Sequence, residues 1–188
     1  MKIYETKVEA GTKQWLKIPV DEECSLKAAA FCGSRPGKRL IVTAGVHGCE
    51  YIGILAVSRL IQELDPRQMK GEVVFLPIAN EGGFYKEIKQ LVPEDGVNLN
   101  RAFPGTEMGS RSAKIAAAVE TYLYPDADFL VDLHSGDIHE MVVPFAFFPV
   151  AAGETVEKKA AAAARAMSLS WRVASTAKNG LYSWAAQK

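Results

Sequence analysis

Short apolar runs alternate with amphipathic stretches along most of the chain. The clearest run, residues 40–44, is apolar and partly β-branched, which is typical of a buried strand. Gly45 and Gly48 interrupt it, and from Glu50 onward apolar residues return at helical spacing, at Ile52, Leu55, Ala56, Leu60 and Leu64. The pattern predicts a strand, a tight turn and a helix over residues 40–64.

The same patterning predicts elements in the rest of the chain. Strands are expected at 2–8, 14–18, 26–31, 72–78, 128–133, 141–148 and 171–173, and further helices at 110–123, 154–168 and after Gly180. The glycines and proline of residues 33–37 predict a loop, and Pro144 favours an edge position for the strand it interrupts. Residues 84–105 look irregular, so this long segment is expected to be functional or disordered.

Apolar strands joined by connections of crossover length indicate the α/β class, with a mostly parallel sheet covered by helices on both faces. The 188 residues suit one domain with a sizeable core. A formal net charge of zero argues against a nucleic-acid partner. The sequence contains no apolar run of signal-peptide or membrane-spanning length, so no membrane partner is expected. Three irregularly spaced cysteines favour a reducing compartment, and hence a cytoplasmic location.

Two of the three histidines follow predicted strands directly. His47 and Glu50 lie in the turn after the strand at 40–44, and His134 follows the strand at 128–133. Ligands bind at the carboxyl ends of strands in open α/β sheets. Two histidines and one glutamate, with a fourth position left for water, are a common donor set of catalytic zinc sites.

Other roles for these residues stay open at this point. His47 can be an ordinary loop histidine, Glu50 a first-turn acid favoured by the helix dipole, and His134 a hydrogen-bonded residue at a strand end. Asp132 could accept the second ring proton of His134, as carboxylates do beside metal-bound histidines, or it could face elsewhere. His139 has no such context and is predicted to lie at the surface.

A second candidate site lies in the segment Gly96-Val-Asn-Leu-Asn-Arg-Ala-Phe-Pro-Gly105. Asn100 and Arg101 offer amide donors beside a planar guanidinium, a combination that can bind a substrate carboxylate bidentately. The alternative is an arginine that braces the loop by donating to backbone carbonyls.

Three motifs together, Gly45-Val-His-Gly-Cys-Glu50, Val97-Asn-Leu-Asn-Arg-Ala-Phe-Pro-Gly105 and Val131-Asp-Leu-His-Ser-Gly136, resemble the succinylglutamate desuccinylase/aspartoacylase family of the zinc carboxypeptidase clan. The resemblance implies a three-layer α/β/α fold and one zinc ion per chain, held by His47, Glu50 and His134. It also implies that Asn100 and Arg101 bind the carboxylate of an acylated amino acid or peptide.

The chain departs from the family pattern in two places. Where such enzymes carry an arginine that stabilises the oxyanion, the best-placed residue here is Lys89, a point charge instead of a planar fork. The family's general-base glutamate is expected beyond Lys188, so the chain resembles an amino-terminal portion of a longer enzyme. Glu81 and Glu140 are candidate bases by position alone.

The leading interpretation is a zinc-dependent hydrolase of an amide bond in an N-acyl amino acid or small peptide. The alternatives are a zinc-binding domain without turnover, completed by a partner or downstream segment, a zinc carboxypeptidase, and a structural α/β domain whose motif residues brace loops. A sheet edge or helix face left uncovered at the carboxyl end is expected to favour self-association into a homo-oligomer.

Overall fold

The structure, a computed structural model, describes all residues from 1 to 188. The strands are β1 (Lys2–Ile3), β2 (Thr6–Lys7), β3 (Thr12–Pro19), β4 (Ser25–Cys32), β5 (Arg35–Ala44), β6 (Lys70–Leu76), β7 (Leu91–Val92), β8 (Val97–Asn98), β9 (Phe129–Leu133), β10 (Phe145–Pro149) and β11 (Trp171–Ser175). The α-helices are α1 (Tyr51–Glu63), α2 (Glu81–Tyr85), α3 (Arg111–Tyr122), α4 (Glu154–Ala166) and α5 (Leu181–Ala185). None of these helices is both long and apolar enough to cross a lipid bilayer.

A five-stranded mixed sheet forms the centre of the molecule, in the order β3-β4-β6-β5-β9. β4 runs antiparallel to β3 and β6, whereas β5 runs parallel to β6 and β9. Ala44 pairs with Leu133, so β5 and β9 end side by side. The turns that follow them, which carry His47 and His134, therefore leave the sheet at the same edge.

Two apolar cores cover the two faces of the sheet. Ile41 points into the larger core, which contains Ile115 and Val119 of α3. Its neighbour Val42 points into the smaller core, which contains Ile54 and other residues of α1. This alternation follows from the two-residue side-chain period of a strand. The predicted three-layer α/β/α fold is confirmed.

The predicted loop at 33–37 is wrong from Arg35 onward, because β5 already begins there. The register of β5 against β6 shifts between Arg35 and Arg39. A Cβ at Gly37 would lie 2.8 Å from the backbone nitrogen of Gly71, so the glycine permits a close approach of the two strands.

Residues 84–105 are ordered, contrary to one of the two outcomes expected for them. The end of α2, the β7–β8 hairpin and a 3₁₀ turn at Leu99–Arg101 account for much of the segment. Side chains hold it in place: Asn80 accepts a hydrogen bond from Gly83 N at 2.9 Å and donates one to Leu91 O at 3.0 Å. The segment shows no regular hydrophobic pattern because polar side chains, more than long strands or helices, form hydrogen bonds with its backbone groups.

The carboxyl-terminal region forms a separate small sheet. β10 pairs with β11 in parallel and contacts α4, and it begins only after Pro144. β9 is one of the two edge strands of the central sheet, and β3 is the other. A cavity of about 2010 Å³ lies between β9, β10, α4 and α5, and it is lined mainly by apolar residues.

Candidate metal centre

A tight turn after β5 brings His47 and Glu50 to the sheet edge. Gly45 has a positive φ of +61°, a conformation that glycine adopts without strain. Asn80 N donates to Gly45 O at 2.8 Å, which fastens the turn to the segment after β6. Glu50 is the residue that precedes the first turn of α1. The two side chains are thus placed by a strand end and a helix start, both anchored in the core.

The carboxylate of Glu50 joins both histidines. His47 Nδ1 lies 2.7 Å from Glu50 Oε1, and His134 Nδ1 lies 2.8 Å from Glu50 Oε2. One candidate ligand atom from each residue lies within 4.8 Å of the others. Glu50 Oε2 also accepts a hydrogen bond from Ser135 N at 3.0 Å, so the loop after β9 holds the carboxylate in place.

The outer nitrogen of each imidazole faces an oxygen atom. His134 Nε2 lies 2.8 Å from Asp132 Oδ2, and the other oxygen of Asp132 accepts a hydrogen bond from the Thr43 hydroxyl at 2.6 Å. His47 Nε2 lies 3.2 Å from Asn98 Oδ1. Asp132 faces His134, which is one of the two positions that the sequence allowed for it. The contact of Asn98 with His47 was not predicted from the sequence. Only the position of Asn98 two residues before Asn100 could have drawn attention to it.

The charges within the cluster are strongly coupled. Burial alone would raise the pKa of Glu50, but hydrogen bonds from His134 and His47 lower that pKa to about 2. Burial alone would lower the pKa of His134, but the carboxylates of Asp132 and Glu50 raise it to about 10. Without a metal, Glu50 and His134 therefore form a carboxylate–imidazolium pair at neutral pH. A divalent cation between these ligands would take the place of protons.

The donor set suits a borderline metal ion such as zinc, which accepts imidazole nitrogen and carboxylate oxygen. The Nδ1 atoms of His47 and His134 converge on the Glu50 carboxylate. Asn98, Asp132 and the backbone of Ser135 hold these three side chains in place. Cys49, in the same turn, is buried and lies outside this cluster of ligands. His47, Glu50 and His134 could hold a metal ion.

The structure also shows how the Asn100–Arg101 pair is held. Asn100 Oδ1 accepts a hydrogen bond from Leu181 N at 2.9 Å, at the start of α5. Arg101 is exposed, and its Nη1 donates to the backbone oxygen of Asn100 at 2.8 Å. Asn100, Arg101 and His134 line the same cavity. The pair therefore faces the space next to the candidate metal centre.

A family model matches most of the chain. The model of the succinylglutamate desuccinylase/aspartoacylase catalytic domain matches residues 36–187. The chain belongs to this family. All three candidate metal ligands and the Asn100–Arg101 pair lie within the matched residues.

Relatives in the desuccinylase/aspartoacylase family include characterised and structurally solved proteins. The chain is 35% identical over 137 residues to N-alpha-acetyl-L-2,4-diaminobutyric acid deacetylase of Halomonas elongata, a match covering 70% of the chain and 40% of the relative. A succinylglutamate desuccinylase from Silicibacter sp. TM1040 superposes with a TM-score of 0.80 at 28% identity, covering 94% of this chain and 55% of that one. The product-bound ectoine utilization protein EutE (DoeB) from Ruegeria pomeroyi gives 0.78 at 27% identity, covering 94% and 56%. The chain spans about half the length of these relatives.

The structure also places the other residues that the sequence singled out. Lys89 Nζ forms an ion pair with Asp137 at 2.7 Å, in the loop that follows His134. The Glu81 carboxylate forms an ion pair with Lys27 at 3.1 Å, and Glu140 is exposed. His139 is exposed, as predicted. The roles of Lys89, Glu81 and Glu140 stay predictions.

Proposed function

We propose that the chain binds one zinc ion through His47, Glu50 and His134 and provides the metal-binding and substrate-binding part of an N-acyl amino acid hydrolase. The observation that supports this most is the convergence of two imidazole Nδ1 atoms on one buried carboxylate, at 2.7 and 2.8 Å. Zinc in such a site supplies Lewis-acid polarisation of an amide carbonyl and makes a water molecule more acidic.

The surrounding side chains have separate tasks in this proposal. Asp132 and Asn98 keep the outer ring nitrogens engaged, which leaves the inner ones directed at the metal position. Arg101, exposed in the cavity, binds the carboxylate of the amino acid part with its planar guanidinium. Lys89, held by Asp137, contributes positive charge for the oxyanion that develops during acyl transfer.

An N-acyl amino acid is the substrate class that fits these groups best. The names of the relatives describe an acetylated diaminobutyric acid and a succinylated glutamate, both acyl derivatives of amino acids. An amide next to a free carboxylate matches a metal centre that shares a cavity with an arginine. We extend this class to the present chain and propose a small-molecule substrate.

The general base is proposed to come from outside residues 1–188. Glu50 is bound to both histidines, Asp132 to His134 and Thr43, and Glu81 to Lys27. Each of these carboxylates is thus engaged elsewhere. Glu140, the remaining candidate, is exposed, and its carboxylate forms no hydrogen bond or ion pair that would position it. This leaves zinc and substrate binding without efficient turnover as the second candidate function of the 188-residue chain.

The test measures binding and hydrolysis on the same preparation. Zinc-loaded chain is assayed by calorimetry and by product analysis with N-acetyl-L-2,4-diaminobutyrate, N-acetyl-aspartate, N-succinyl-glutamate and a small peptide panel, with the Halomonas deacetylase as reference and His134→Ala as the metal-site control. We expect zinc-dependent binding of at least one acyl amino acid, with turnover roughly 10²–10⁴-fold below the reference, the usual contribution of a general base.

Two outcomes would contradict the proposal. Zinc-loaded protein that binds none of the acyl amino acids would remove the substrate class. Turnover equal to the reference would place the base within the chain, and Glu140→Gln and Glu81→Gln would then identify it.

A further inference from the structure

We infer that Asn98 is a positioning residue whose single amide oxygen fixes the ring tautomer of His47 and also sets the backbone of the carboxylate-binding pair. This inference rests on the proposed zinc site. Asn98 Oδ1 lies 3.2 Å from His47 Nε2 and accepts a hydrogen bond from Asn100 N at 2.9 Å. One atom thus contacts both parts of the candidate site.

The orientation of the Asn98 amide follows from its second contact. Asn100 N–H is a donor, so the side-chain atom of Asn98 that faces it must be the oxygen. That same oxygen faces His47 Nε2. The hairpin pairing of Asn98 with Leu91 fixes the backbone from which this side chain extends. The assignment of oxygen and nitrogen is therefore settled by the hydrogen-bond network.

The tautomer of His47 follows in turn. An amide oxygen can only accept, so His47 Nε2 must carry the proton in this contact. In the metal-free protein His47 Nδ1 donates to the Glu50 carboxylate at 2.7 Å. A metal ion would displace that Nδ1 proton while Asn98 retains the proton on Nε2, which leaves the Nδ1 lone pair for the metal. Asn98 therefore selects the form of His47 whose inner nitrogen is ready to bind a metal ion.

Asn98 and Asp132 have the same geometric task but different electrostatics. The Asp132 carboxylate faces His134 Nε2 at 2.8 Å. The Asn98 amide is neutral, so it orients His47 without adding negative charge. One histidine is thus held by a charged acceptor and the other by a neutral one.

Coupling to the carboxylate-binding pair arises through Asn100. Its backbone N–H is held by Asn98, and its side-chain oxygen accepts from Leu181 N at 2.9 Å. Hydrogen bonds therefore run from His47 through Asn98 and Asn100 to the first turn of α5. Loss of the Asn98 oxygen is expected to disturb both zinc binding and acyl amino acid binding.

The experiment compares Asn98→Leu, which is similar in size but has no acceptor, with Asn98→Asp, which keeps one. Exposed Asn179→Ala is the control. Zinc affinity is measured by competition with a chelator, and the imidazole protons of zinc-loaded protein are followed by ¹H–¹⁵N NMR. We expect Asn98→Leu to lose roughly 10–100-fold in zinc affinity, the range seen when the outer partner of a metal-bound histidine is removed. Its His47 Nε2 proton should exchange faster with water.

Asn98→Asp should restore zinc affinity to within a few-fold of wild type, which a merely structural role for the residue would not require. With zinc saturating, Asn98→Leu should also bind N-acetyl-L-2,4-diaminobutyrate more weakly than Asn98→Asp does. If Asn98→Leu unfolds, Asn98→Ala replaces it in the same assays. The inference would be overturned if Asn98→Leu kept the zinc affinity of wild type and the exchange rate of the His47 Nε2 proton did not change. Failure of the wild-type protein to bind zinc would instead refute the proposed function.

Discussion

The candidate metal centre and the Asn100–Arg101 pair lie next to one cavity but differ in how firmly they are held. His47, Glu50 and His134 leave the ends of two core strands and the start of α1, and each contacts at least two partners. Arg101 sits in a 3₁₀ turn, is exposed, and donates only to a neighbouring backbone oxygen. The candidate metal centre is preorganised, whereas any ligand that binds the arginine would have to order its side chain.

This difference has a physical consequence for binding. Ordering a flexible side chain at an interface costs about 0.5–1.5 kcal/mol, which subtracts from the observed affinity. In the proposed function a zinc ion would meet ligands that are already in place, while an acyl amino acid would have to immobilise Arg101. Disturbing the metal centre should therefore have larger effects than disturbing the arginine.

Removal of a metal ligand is the strongest way to test the comparison. His134→Ala deletes one of three donors and leaves Glu50 and Asp132 without their shared partner. Zinc affinity should fall by more than the roughly 100-fold upper range of substitutions at outer partners. Chelator competition measures this loss, with His139→Ala as an exposed histidine control. Equal affinity in both variants would contradict the role of His134.

Acidity should weaken zinc binding strongly, because zinc must displace the proton of His134. With a pKa of about 10, His134 is charged across the neutral range. Zinc affinity should rise roughly tenfold per pH unit, or about 100-fold between pH 6 and 8. In metal-free protein the sign is opposite: the raised pKa stabilises the fold fully below about pH 6.5, and this contribution fades as pH rises toward 10.

Calorimetry in buffers of different ionisation enthalpy counts the protons released on zinc binding, and denaturant unfolding of metal-free protein follows the second effect. Zinc affinity independent of pH from 6 to 8 would contradict the charged state of His134.

Loss of an outer partner should have an intermediate effect. Asp132→Asn keeps the size of the side chain but removes the charge that faces His134 Nε2. Zinc affinity is expected to fall roughly 10-fold, at the lower end of the range for such partners, because an amide oxygen can still accept. An increase in affinity would show that the charge of Asp132 hinders the metal centre. The exposed Asp126→Asn is a matched control.

Replacement of the arginine should have an effect no larger than that of Asp132→Asn, and on a different target. Arg101→Lys keeps the charge and loses the planar fork, so acyl amino acid binding should weaken by about 1.5 kcal/mol, roughly tenfold. Zinc affinity should stay unchanged. Calorimetry with free-acid and amidated forms of one ligand separates the effects, since only the free acid should respond. An equal response of both forms would show that Arg101 does not bind the carboxylate.

Features that depend on local sequence patterns could be predicted from the sequence. The apolar run at 40–44, the glycines after it and the histidine after the strand at 128–133 predicted two strand ends at one sheet edge, and β5 and β9 end there together. The extra length of β5 was not predictable, because it depends on the close approach of Gly37 to Gly71. That contact involves residues distant in sequence and leaves no local pattern.

The same limit applies inside the candidate site. Asn98 contacts His47 across 51 residues, and Leu181 contacts Asn100 across 81. Each contact depends on where the β7–β8 hairpin and α5 pack. The sequence offers donors and acceptors in these segments, but only the tertiary structure decides which of them meet.

The most direct test of the account is zinc X-ray absorption spectroscopy on the purified chain, combined with its zinc content. We expect one zinc per chain and a first coordination shell of nitrogen and oxygen at about 2.0–2.2 Å, with imidazole scattering from two histidines. Absence of zinc above trace level after zinc loading would contradict the proposed centre. So would a sulfur shell at about 2.3 Å, which would place a cysteine in the site instead of the ligands that His47, Glu50 and His134 provide.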